Sequence, residues 1–396
     1  MTTRATIVLP APAPYREGLL GALHAREDLS LRVIYATAAQ PSWDAAPGWF
    51  PATHPYPALH LRSLSRARPG RTPIQLPWGL GRALRRADGD VVVASEYGVA
   101  SLRSLAWCRR HGRAHVVLTE CTPEIDGLLS PGQLALHRRV ARMTDHVIAV
   151  SAAGRERLLA FGVPAERITV STQPAELGPI RAAVAAAGAD GTADEVRPLV
   201  VLAAGRLVPD KNLGALIDAV ADVNADADAK VAADTDAAAP GRRLALQIAG
   251  TGPLEPELRA RAAARDAPVV FHGGLAPAQM GELYARADVF ALVSTFEPFG
   301  VVVREAVAAG LPIVCSERAG AAGEVALAGR NALLVAPEST DAIAAALRTL
   351  ARDPALRARM AAESRAIDAA HEGADVEAFA AAIATAAARR GRPVGP

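Results

Sequence analysis

The 396-residue sequence has few cysteines, few aromatic residues and almost no lysine. Its three cysteines, Cys108, Cys121 and Cys315, exclude a disulfide scaffold, match no metal spacing and favour a reducing compartment. Only 4% of the residues are aromatic, yet 51% are hydrophobic and the net charge is +2, which excludes disorder of the whole chain. No apolar run reaches the length of about 18 residues that a membrane span needs. The apolar start at 6–14 is interpreted as a buried strand rather than a secretory signal.

Lysine is the scarcest of the common residue types. Lys211 and Lys230 are the two lysines among 43 cationic residues, and the others are arginines. A coding bias toward arginine explains this composition, and it gives weight to a lysine that stands in a motif. Lys230 lies in the Ala/Asp-rich stretch Asp222–Pro240, which we expect to be a solvated loop. Lys211 is therefore the lysine that needs a chemical explanation.

The charge is distributed unevenly along the chain. Residues 1–180 contain 21 arginines and 14 acidic residues, a net charge of +7, whereas residues 181–396 have 22 cationic and 27 acidic residues, a net charge of −5. Two explanations stay open. The first is that the asymmetry has no function and results from sequence drift together with an acidic insert. The second is that the N-terminal half has a basic face that meets anionic lipid, phosphate or an acidic acceptor.

Short apolar runs alternate with helical patterns in both halves of the chain. Continuous runs such as Val91–Ala94 are typical of parallel strands that are buried on both faces. The alternation predicts an α/β fold with two Rossmann-like, doubly wound parallel sheets, whose ligands bind beyond the carboxyl ends of the strands. The predicted strands are Ala5–Leu9, Leu31–Ala36, Asp90–Ala94, His115–Thr119, His146–Val150, Leu199–Ala204, Arg243–Ala249, Val269–Phe271, Val289–Val293 and Pro312–Cys315.

A polar break between Pro174 and Pro198 predicts a linker, so that two domains share a cleft. The predicted parts are an N-terminal domain at 1–180, a linker at 181–197, a C-terminal domain at 198–372, and a C-terminal helix at 373–396 that can cross back to the N-terminal domain.

A glycine turn and two cations follow the predicted strand Leu199–Ala204, in Gly205-Arg-Leu-Val-Pro-Asp-Lys-Asn212. Arg206 and Lys211 precede a helix that starts at Leu213, where free N–H groups and the helix dipole favour anions. A guanidinium and a compact ammonium at such a place are typical of a diphosphate site. The alternative is a solvated loop with ordinary surface charges, and the scarcity of lysine argues against it.

Two glutamates follow the predicted strand Val289–Val293, in Glu297-Pro-Phe-Gly-Val-Val-Val-Arg-Glu305. Carboxylates accept hydrogen bonds from vicinal hydroxyls, so this pair can bind a sugar or a ribose. Gly300 allows a ligand to approach backbone N–H groups. Ordinary surface charge is the alternative for both glutamates.

A third turn, Gly250-Thr-Gly-Pro-Leu-Glu255, follows the predicted strand Arg243–Ala249 and is weak evidence by itself. The sequence has neither G-x-G-x-x-G nor G-x-x-x-x-G-K-[ST], which disfavours a nicotinamide-dependent dehydrogenase and a P-loop enzyme. Its histidines show no metal spacing, and we expect no metal site.

The order of these motifs resembles that of the retaining glycosyltransferases of family 4, which have the GT-B fold of two Rossmann-like domains facing across a cleft. The resemblance covers most of residues 198–340, while the N-terminal half matches only in pattern. It rests on Gly205-Arg-Leu-Val-Pro-Asp-Lys211, Gly250-Thr-Gly-Pro253, Val270-Phe-His-Gly273, Ala287-Asp-Val-Phe-Ala-Leu-Val-Ser294, Glu297-Pro-Phe-Gly300 and Glu305-Ala-Val-Ala-Ala-Gly-Leu-Pro312.

The resemblance implies that the N-terminal domain at 1–180 binds the acceptor and that the C-terminal domain at 198–372 binds the nucleotide sugar. It also implies a role for each motif. Arg206 and Lys211 would hold the donor diphosphate. Glu305 would bind the ribose hydroxyls, and Glu297 the hydroxyls of the transferred sugar. The candidate catalytic residues are Arg206, Lys211, Glu297 and Glu120. The candidate donor-binding residues are Gly205, Arg206, Lys211, Gly250, Thr251, Gly252, His272 near the base, Glu297, Phe299 and Gly300 through their N–H groups, Val301 and Glu305.

The N-terminal half departs from the family pattern at two places. Glu120, in Thr119-Glu-Cys-Thr122, stands where many relatives carry a histidine. It would orient or deprotonate an acceptor hydroxyl or contact the sugar, and the alternative is that it caps the following turn. The loop Pro10-Ala-Pro-Ala-Pro-Tyr-Arg-Glu-Gly18 replaces a Gly-Gly loop, and because proline has no N–H, Arg16 is the candidate for supplying charge. The acceptor-side candidates are Arg16, Glu120 and Thr122.

Three bulky aromatic residues stand together in Trp43-Asp-Ala-Ala-Pro-Gly-Trp-Phe50. Stacking on a sugar, insertion into a membrane surface and core packing are all open for them.

The motifs and the resemblance together predict a cytosolic retaining glycosyltransferase that moves a sugar from a nucleotide-diphosphate donor to an acceptor hydroxyl, in the synthesis of a glycan, glycolipid or glycosylated metabolite. The alternatives are a nucleotide-sugar epimerase or hydrolase of GT-B fold and a non-catalytic nucleotide-sugar-binding protein. The acceptor is a glycan, a lipid-linked compound or a small molecule. No cofactor and no nucleic acid are expected, and peripheral contact with the anionic inner face of a membrane stays open.

Overall fold

The chain forms two compact units. Among the residues that the structure describes, unit 1 contains those up to Glu176 together with those from Glu372 onward, and unit 2 contains those between Leu177 and His371. No helix in the described part of the chain combines the length and the apolar character that crossing a membrane requires. The computed structural model describes residues 2–38, 53–68, 71–188, 197–232 and 242–390.

Strands and helices alternate along most of the chain. The strands are β1 (Thr3–Leu9), β2 (Leu29–Tyr35), β3 (Ala58–His60), β4 (Ser63–Arg68), β5 (Arg71–Pro77), β6 (Val91–Ser95), β7 (Ala114–Thr119), β8 (His146–Ala149), β9 (Ile168–Val170), β10 (Leu199–Ala204), β11 (Leu244–Ala249), β12 (Val269–Gly273), β13 (Val289–Leu292), β14 (Ile313–Ser316) and β15 (Ala332–Val335).

The α-helices cover the sheets or connect their strands. They are α1 (Pro14–His24), α2 (Leu80–Ala87), α3 (Val99–Arg110), α4 (Pro131–Met143), α5 (Ala152–Ala160), α6 (Gly178–Gly188), α7 (Leu213–Ala232), α8 (Glu255–Ala264), α9 (Pro277–Arg286), α10 (Val301–Ala308), α11 (Thr340–Arg352), α12 (Pro354–Ala370) and α13 (Ala374–Arg390).

Unit 1 is built on a parallel sheet with the strand order β3-β2-β1-β6-β7-β8-β9, and β4 pairs antiparallel with β5. β1 lies between β2 and β6, where Ile7 stands opposite Val33 and Val93. The strands β2 and β3 thus lie on one side of β1, and the later strands β6 to β9 lie on its other side. This is the doubly wound arrangement. The run Val91–Ala94 is fully buried, as expected for a strand covered on both faces.

Unit 2 repeats this plan with a parallel sheet in the order β12-β11-β10-β13-β14-β15. β10 lies between β11 and β13, where Val201 stands opposite Leu246 and Val289. Side chains of α7 and α11, Leu216 and Leu347 among them, pack with the strands in one buried apolar cluster. The prediction of two doubly wound parallel sheets is confirmed.

The helix α13 follows unit 2 in the chain but packs on the sheet of unit 1, mainly against β7 and β8. Its Ile383 is fully buried there. Ion pairs lie toward its two ends: Arg26 with Glu377 at 2.5 Å, and Arg390 with Asp145 at 3.0 Å. The core of unit 1 is thus completed by a segment distant in sequence.

The prediction of a solvated loop at Asp222–Pro240 is wrong in its first part, because α7 continues to Ala232. Alanine is the strongest helix former, and Val223 is buried in the core of unit 2. The Asn224 side chain, also buried, donates to the Leu244 carbonyl at 3.1 Å and accepts from the Leu244 N–H at 2.8 Å. These contacts fix the extension of α7 against β11.

Several short elements are absent from the sequence-based assignment. β3 and β9 have three residues each and β15 has four, which is too few for a period to be recognised. The hairpin of β4 and β5 was not predicted either. The helix α6 occupies the first residues of the predicted linker at 181–197.

Replacement of Asn224 by alanine tests the packing of the α7 extension. The change leaves the buried Leu244 N–H without this acceptor, so the free energy of unfolding should fall by about 1–3 kcal/mol. Asp226→Ala, which removes an exposed ion pair with Arg348, should lower it by less than about 1 kcal/mol. Urea denaturation followed by circular dichroism compares the two variants, and equal small effects would contradict the packed extension.

Candidate functional site

The strand order of unit 2 places a crevice at the carboxyl ends of β10 and β13. The chain turns in opposite directions after these two strands, and ligands of doubly wound sheets bind at such a switch point. The loop after β10 begins at Gly205, and the loop after β13 leads to Glu297. The two loops are joined by a hydrogen bond from the Thr295 N–H to the Asp210 carbonyl at 2.9 Å.

An ion pair between Lys211 and Glu297 connects these loops. Both side chains are largely buried, with exposed fractions of 16% and 12%. The Lys211 chain passes over Gly205, where the Cβ of any other residue would stand 3.4 Å from Lys211 Cε. The structure therefore brings together two residues that the sequence assigned to different subsites, one for the diphosphate and one for the sugar.

Arg206 is exposed and lines the same pocket as Lys211. A small pocket at the strand ends is lined by Gly205, Arg206, Lys211, Leu292 and Val293. Two cationic side chains thus flank one concave surface, while apolar groups form its base. Such a surface suits the oxygens of a phosphate group.

The position of Lys211 depends on Asn212, which the sequence analysis missed. Asn212 has the left-handed φ of 53°, a conformation in which asparagine is enriched among non-glycine residues. Its side-chain amide donates to the Val293 carbonyl at 3.2 Å and to the Pro337 carbonyl at 2.7 Å. The Lys-Asn pair directly before a helical pattern was the available signal.

The turn after β11 supports the loop that follows β10. Gly250 has a φ of 136°, and a Cβ on it would lie 1.9 Å from the Gly205 carbonyl oxygen. A Cβ on Gly252 would lie 2.4 Å from the Leu207 carbonyl oxygen, and the Leu207 N–H donates to the Thr251 carbonyl at 2.9 Å. Close backbone packing explains why glycine stands at these two positions. Contact of this turn with the nucleotide-sugar donor stays a prediction.

On the neighbouring strand, His272 shares a hydrogen bond of 3.0 Å with Gln247. His272 lies near the end of β12. From the sequence we expected this residue close to the nucleotide base of the donor. Contact between His272 and a base stays a prediction.

Backbone hydrogen bonds and a left-handed glycine shape the turn before α10. Gly300 has a φ of 93°, and Phe299 is 2% exposed, so the Phe299 ring belongs to the core. The Ala321 N–H donates to the Phe299 carbonyl at 2.8 Å, which holds the turn in place. Val301 is the first residue of α10, and the N–H groups of this first turn are the kind that bind anions and hydroxyls.

Glu305 lies one turn further along α10, against Tyr284 of α9. The Tyr284 hydroxyl donates to Glu305 Oε2 at 2.8 Å. Burial raises the pKa of Glu305, and the hydrogen bond from Tyr284 opposes this shift. One carboxylate oxygen is held in place, and a carboxylate has acceptor sites beyond that one bond. The sequence analysis missed Tyr284, whose buried hydroxyl needs a partner.

A second polar cluster lies at the carboxyl ends of β1, β6 and β7 in unit 1. Buried Arg16 donates to Glu120 Oε1 at 2.7 Å, and Gln173 Nε2 donates to the same oxygen at 2.7 Å. Thr122 is buried at the start of the following turn. The three acceptor-side candidates therefore lie at one sheet edge, with Arg16 and Glu120 in direct contact.

Glu96 is the member of this cluster that the sequence analysis missed. It has a left-handed φ of 59°, which is rare for a glutamate and frequent at functional sites. Glu96 Oε1 accepts from the Glu120 N–H at 2.6 Å, and Oε2 accepts from the Thr119 hydroxyl at 3.0 Å. Burial and the nearby charge of Glu120 raise the pKa of Glu96. The available signal was a carboxylate two residues after the predicted strand Asp90–Ala94.

The aromatic stretch Trp43–Phe50 lies outside the described residues. Of the other tryptophans, Trp78 is 70% exposed and Trp107 is buried.

Two family models match the chain over most of its length. The model described as "Glycosyl transferases group 1" matches residues 192–367, and the model described as "Glycosyl transferase 4-like domain" matches residues 11–171. The two matches fall on units 2 and 1, respectively.

Curated relatives match to different extents. The GDP-mannose-dependent alpha-(1-6)-phosphatidylinositol monomannoside mannosyltransferase of Mycolicibacterium smegmatis is 28% identical over 369 residues, 89% of this chain and 90% of that protein. The glycogen synthase of Mycobacterium tuberculosis is 40% identical over 95 residues, 24% of this chain. The chain spans only 23% of that glycogen synthase and 29% of the mannosylfructose-phosphate synthase of Agrobacterium fabrum.

Solved structures share the fold at low sequence identity. HepE of Anabaena, solved with UDP, has a TM-score of 0.71 and 19% identity, covering 97% of this chain and 100% of that chain. A sucrose-phosphate synthase from Thermosynechococcus elongatus has a TM-score of 0.71 and 16% identity, covering 96% and 98%. Together with the two parallel-sheet units, these likenesses define a protein of the GT-B fold, as predicted. The chain belongs to the group 1 glycosyl transferases of the GT4 type.

Gly250→Ala tests whether this glycine is required by packing. The new methyl group would overlap the Gly205 carbonyl, so we expect the free energy of unfolding to fall by about 1–3 kcal/mol, together with a distorted Lys211 loop. Gly214→Ala in α7 of the same unit is the control, since its Cβ would meet only ordinary contacts starting at 3.4 Å. Thermal unfolding monitors both variants, and a fully stable Gly250→Ala protein would refute the packing role.

Proposed function

We propose that this protein is a retaining glycosyltransferase that transfers a sugar from a nucleotide diphosphate to an acceptor hydroxyl. The observation that carries the proposal is the Lys211–Glu297 ion pair, with Arg206 beside it, at the switch point of unit 2. Family membership and the solved relatives that bind UDP and UDP-glucose support it.

In the proposed reaction the bond between the anomeric carbon and the diphosphate oxygen breaks, and its electron pair stays on the diphosphate. The acceptor oxygen forms the new bond to the anomeric carbon on the same face. The acceptor proton passes to an oxygen of the departing diphosphate. Negative charge therefore grows on the diphosphate, and fixed cations that stabilise such charge are a large contribution to catalysis. Arg206 and Lys211 are the residues that we assign to this role.

We assign the remaining donor contacts to residues that follow β13. Glu297 would accept from hydroxyls of the transferred sugar while it keeps Lys211 oriented, because its ion pair joins the two loops. Glu305, held by Tyr284, would accept from the ribose hydroxyls. The N–H groups at Phe299 and Gly300 would complete the sugar contacts.

For the acceptor we propose the polar cluster of unit 1. Glu120 is held by Arg16 and Gln173 and would orient the attacking hydroxyl. The relatives named as acting on phosphatidylinositol monomannoside and on inositol 3-phosphate take anionic acceptors, which agrees with the basic N-terminal half. We propose an anionic acceptor, either lipid-linked or small.

Lys211→Ala is the direct test of the diphosphate assignment. Once thermal-shift screening of nucleotide diphosphates has identified the donor base, we expect this variant to lose activity by about 100-fold or more with an unchanged fold. Lys230→Ala removes the other lysine of the chain and should keep full activity. Equal turnover of the two variants would contradict the role of Lys211.

The reaction class is tested with the wild-type protein. NMR of the product should show the anomeric configuration of the donor, and inversion would refute the retaining mechanism. Incubation with the donor alone should release little free sugar and no epimer. Rapid formation of either without an acceptor would favour the hydrolase or the epimerase instead.

A further inference from the structure

A pocket of about 220 Å³ lies at the amino-terminal edge of the unit 1 sheet, opposite the edge that carries Glu96 and Glu120. Thr144 and Asp145, directly before β8, form part of its wall. The ends of α3, α4 and α13 and the turn before β9 contribute the rest. Its lining includes five arginines: Arg109, Arg142, Arg167, Arg389 and Arg390.

These guanidinium groups bind mainly to backbone carbonyls. Arg109 donates to the Met143 carbonyl at 3.3 Å, and Arg142 donates to the Phe161 carbonyl. Arg167 donates to the carbonyls of Arg142 at 3.1 Å and of Thr144. Carbonyl oxygens hold the side chains in place, but they do not neutralise the positive charges.

Acidic groups compensate only a small part of this charge. Asp145 is the one carboxylate lining the pocket in the described part of the chain; it pairs with Arg390 at 3.0 Å and also accepts from the His115 N–H at 2.8 Å. Glu166 reaches Arg389 at 4.0 Å. Five cations therefore face one lining carboxylate and a second at the margin.

Burial and the concentration of positive charge both affect the titration of neighbouring groups. Burial and the charge of Arg389 lower the pKa of Arg167. Burial, followed by the charges of Arg389 and Arg167, lowers the pKa of His146 to about 4. A site where cations depress one another's protonation gains free energy when an anion enters it.

We propose that this pocket binds a phosphate or diphosphate group, separate from the donor site of unit 2. Guanidinium forks match phosphate oxygens and bind them in bidentate geometry. The volume is below the roughly 300–1,000 Å³ of pockets for drug-sized ligands, which favours a small anion. Because Arg389 and Arg390 belong to α13 while Arg109 and Arg142 belong to α3 and α4, the anion would join α13 to the body of unit 1.

Calorimetric titration with inorganic pyrophosphate tests the site in the full chain. The protein carries Arg206→Ala and Lys211→Ala, so that the donor site does not contribute to the signal. We expect one bound anion per chain and weaker binding at higher salt. Adding Arg389→Gln and Arg390→Gln should raise the Kd by about tenfold or more.

Two further variants make the test specific. Asp145→Asn removes the lining carboxylate and should tighten binding several-fold, a gain that an unfolded variant cannot produce. Arg110→Gln, an exposed arginine of α3 that does not line the pocket, is the matched control. Absence of pyrophosphate binding, or the same Kd in all these variants, would overturn the proposal.

The source of the phosphate group is distinguished with vesicles of phosphatidylcholine and phosphatidylglycerol. Co-sedimentation that is lost with Arg389→Gln and Arg390→Gln supports the site and assigns a lipid headgroup. Pyrophosphate binding without co-sedimentation supports the site and assigns a free phosphorylated compound.

Discussion

The ion pair between Lys211 and Glu297 is the interaction on which the candidate site of unit 2 depends. It joins the loops that follow two adjacent parallel strands, at the point where the chain changes direction. In the part of the chain that the structure describes, Lys211 pairs with one carboxylate. Its ammonium has three donors and therefore keeps hydrogen-bonding capacity in this largely buried place. The pair therefore fixes the ammonium before any ligand arrives, and such preorganisation is what electrostatic catalysis requires.

Glycine performs a different task around this pair. Gly250 and Gly252 allow two backbone segments to come closer than any side chain would permit. These close contacts fix the position of the loop that begins at Gly205. Gly205 itself has no side chain and therefore leaves room for the Lys211 side chain. The glycine-rich turn is thus a support for the cationic loop, whether or not it touches a ligand itself.

The fold was predictable from the sequence because buried parallel strands are continuous apolar runs. The predicted strand Leu199–Ala204, for example, has the same bounds as β10 in the structure. Arg206, Lys211 and Glu297 could be placed in loops because these loops begin at the carboxyl ends of such strands. The contact between Lys211 and Glu297 was not, since pairing across a sheet depends on strand order. Glu96 and Tyr284 were not predicted, because an isolated buried polar residue does not recur at the spacing of a helix or a strand and so forms no recognisable pattern. The extension of α7 was missed because its Ala/Asp composition is also typical of disorder.

The location of α13 has a consequence for biosynthesis. This helix buries Phe379 and Ile383 in unit 1, yet the ribosome makes it only after all of unit 2. The core of unit 2 needs no segment beyond His371, whereas the core of unit 1 cannot be completed before α13 has been made. Domains that fold in order of synthesis normally begin at the N-terminus. In this protein the second unit is the first for which every segment of the core has been made.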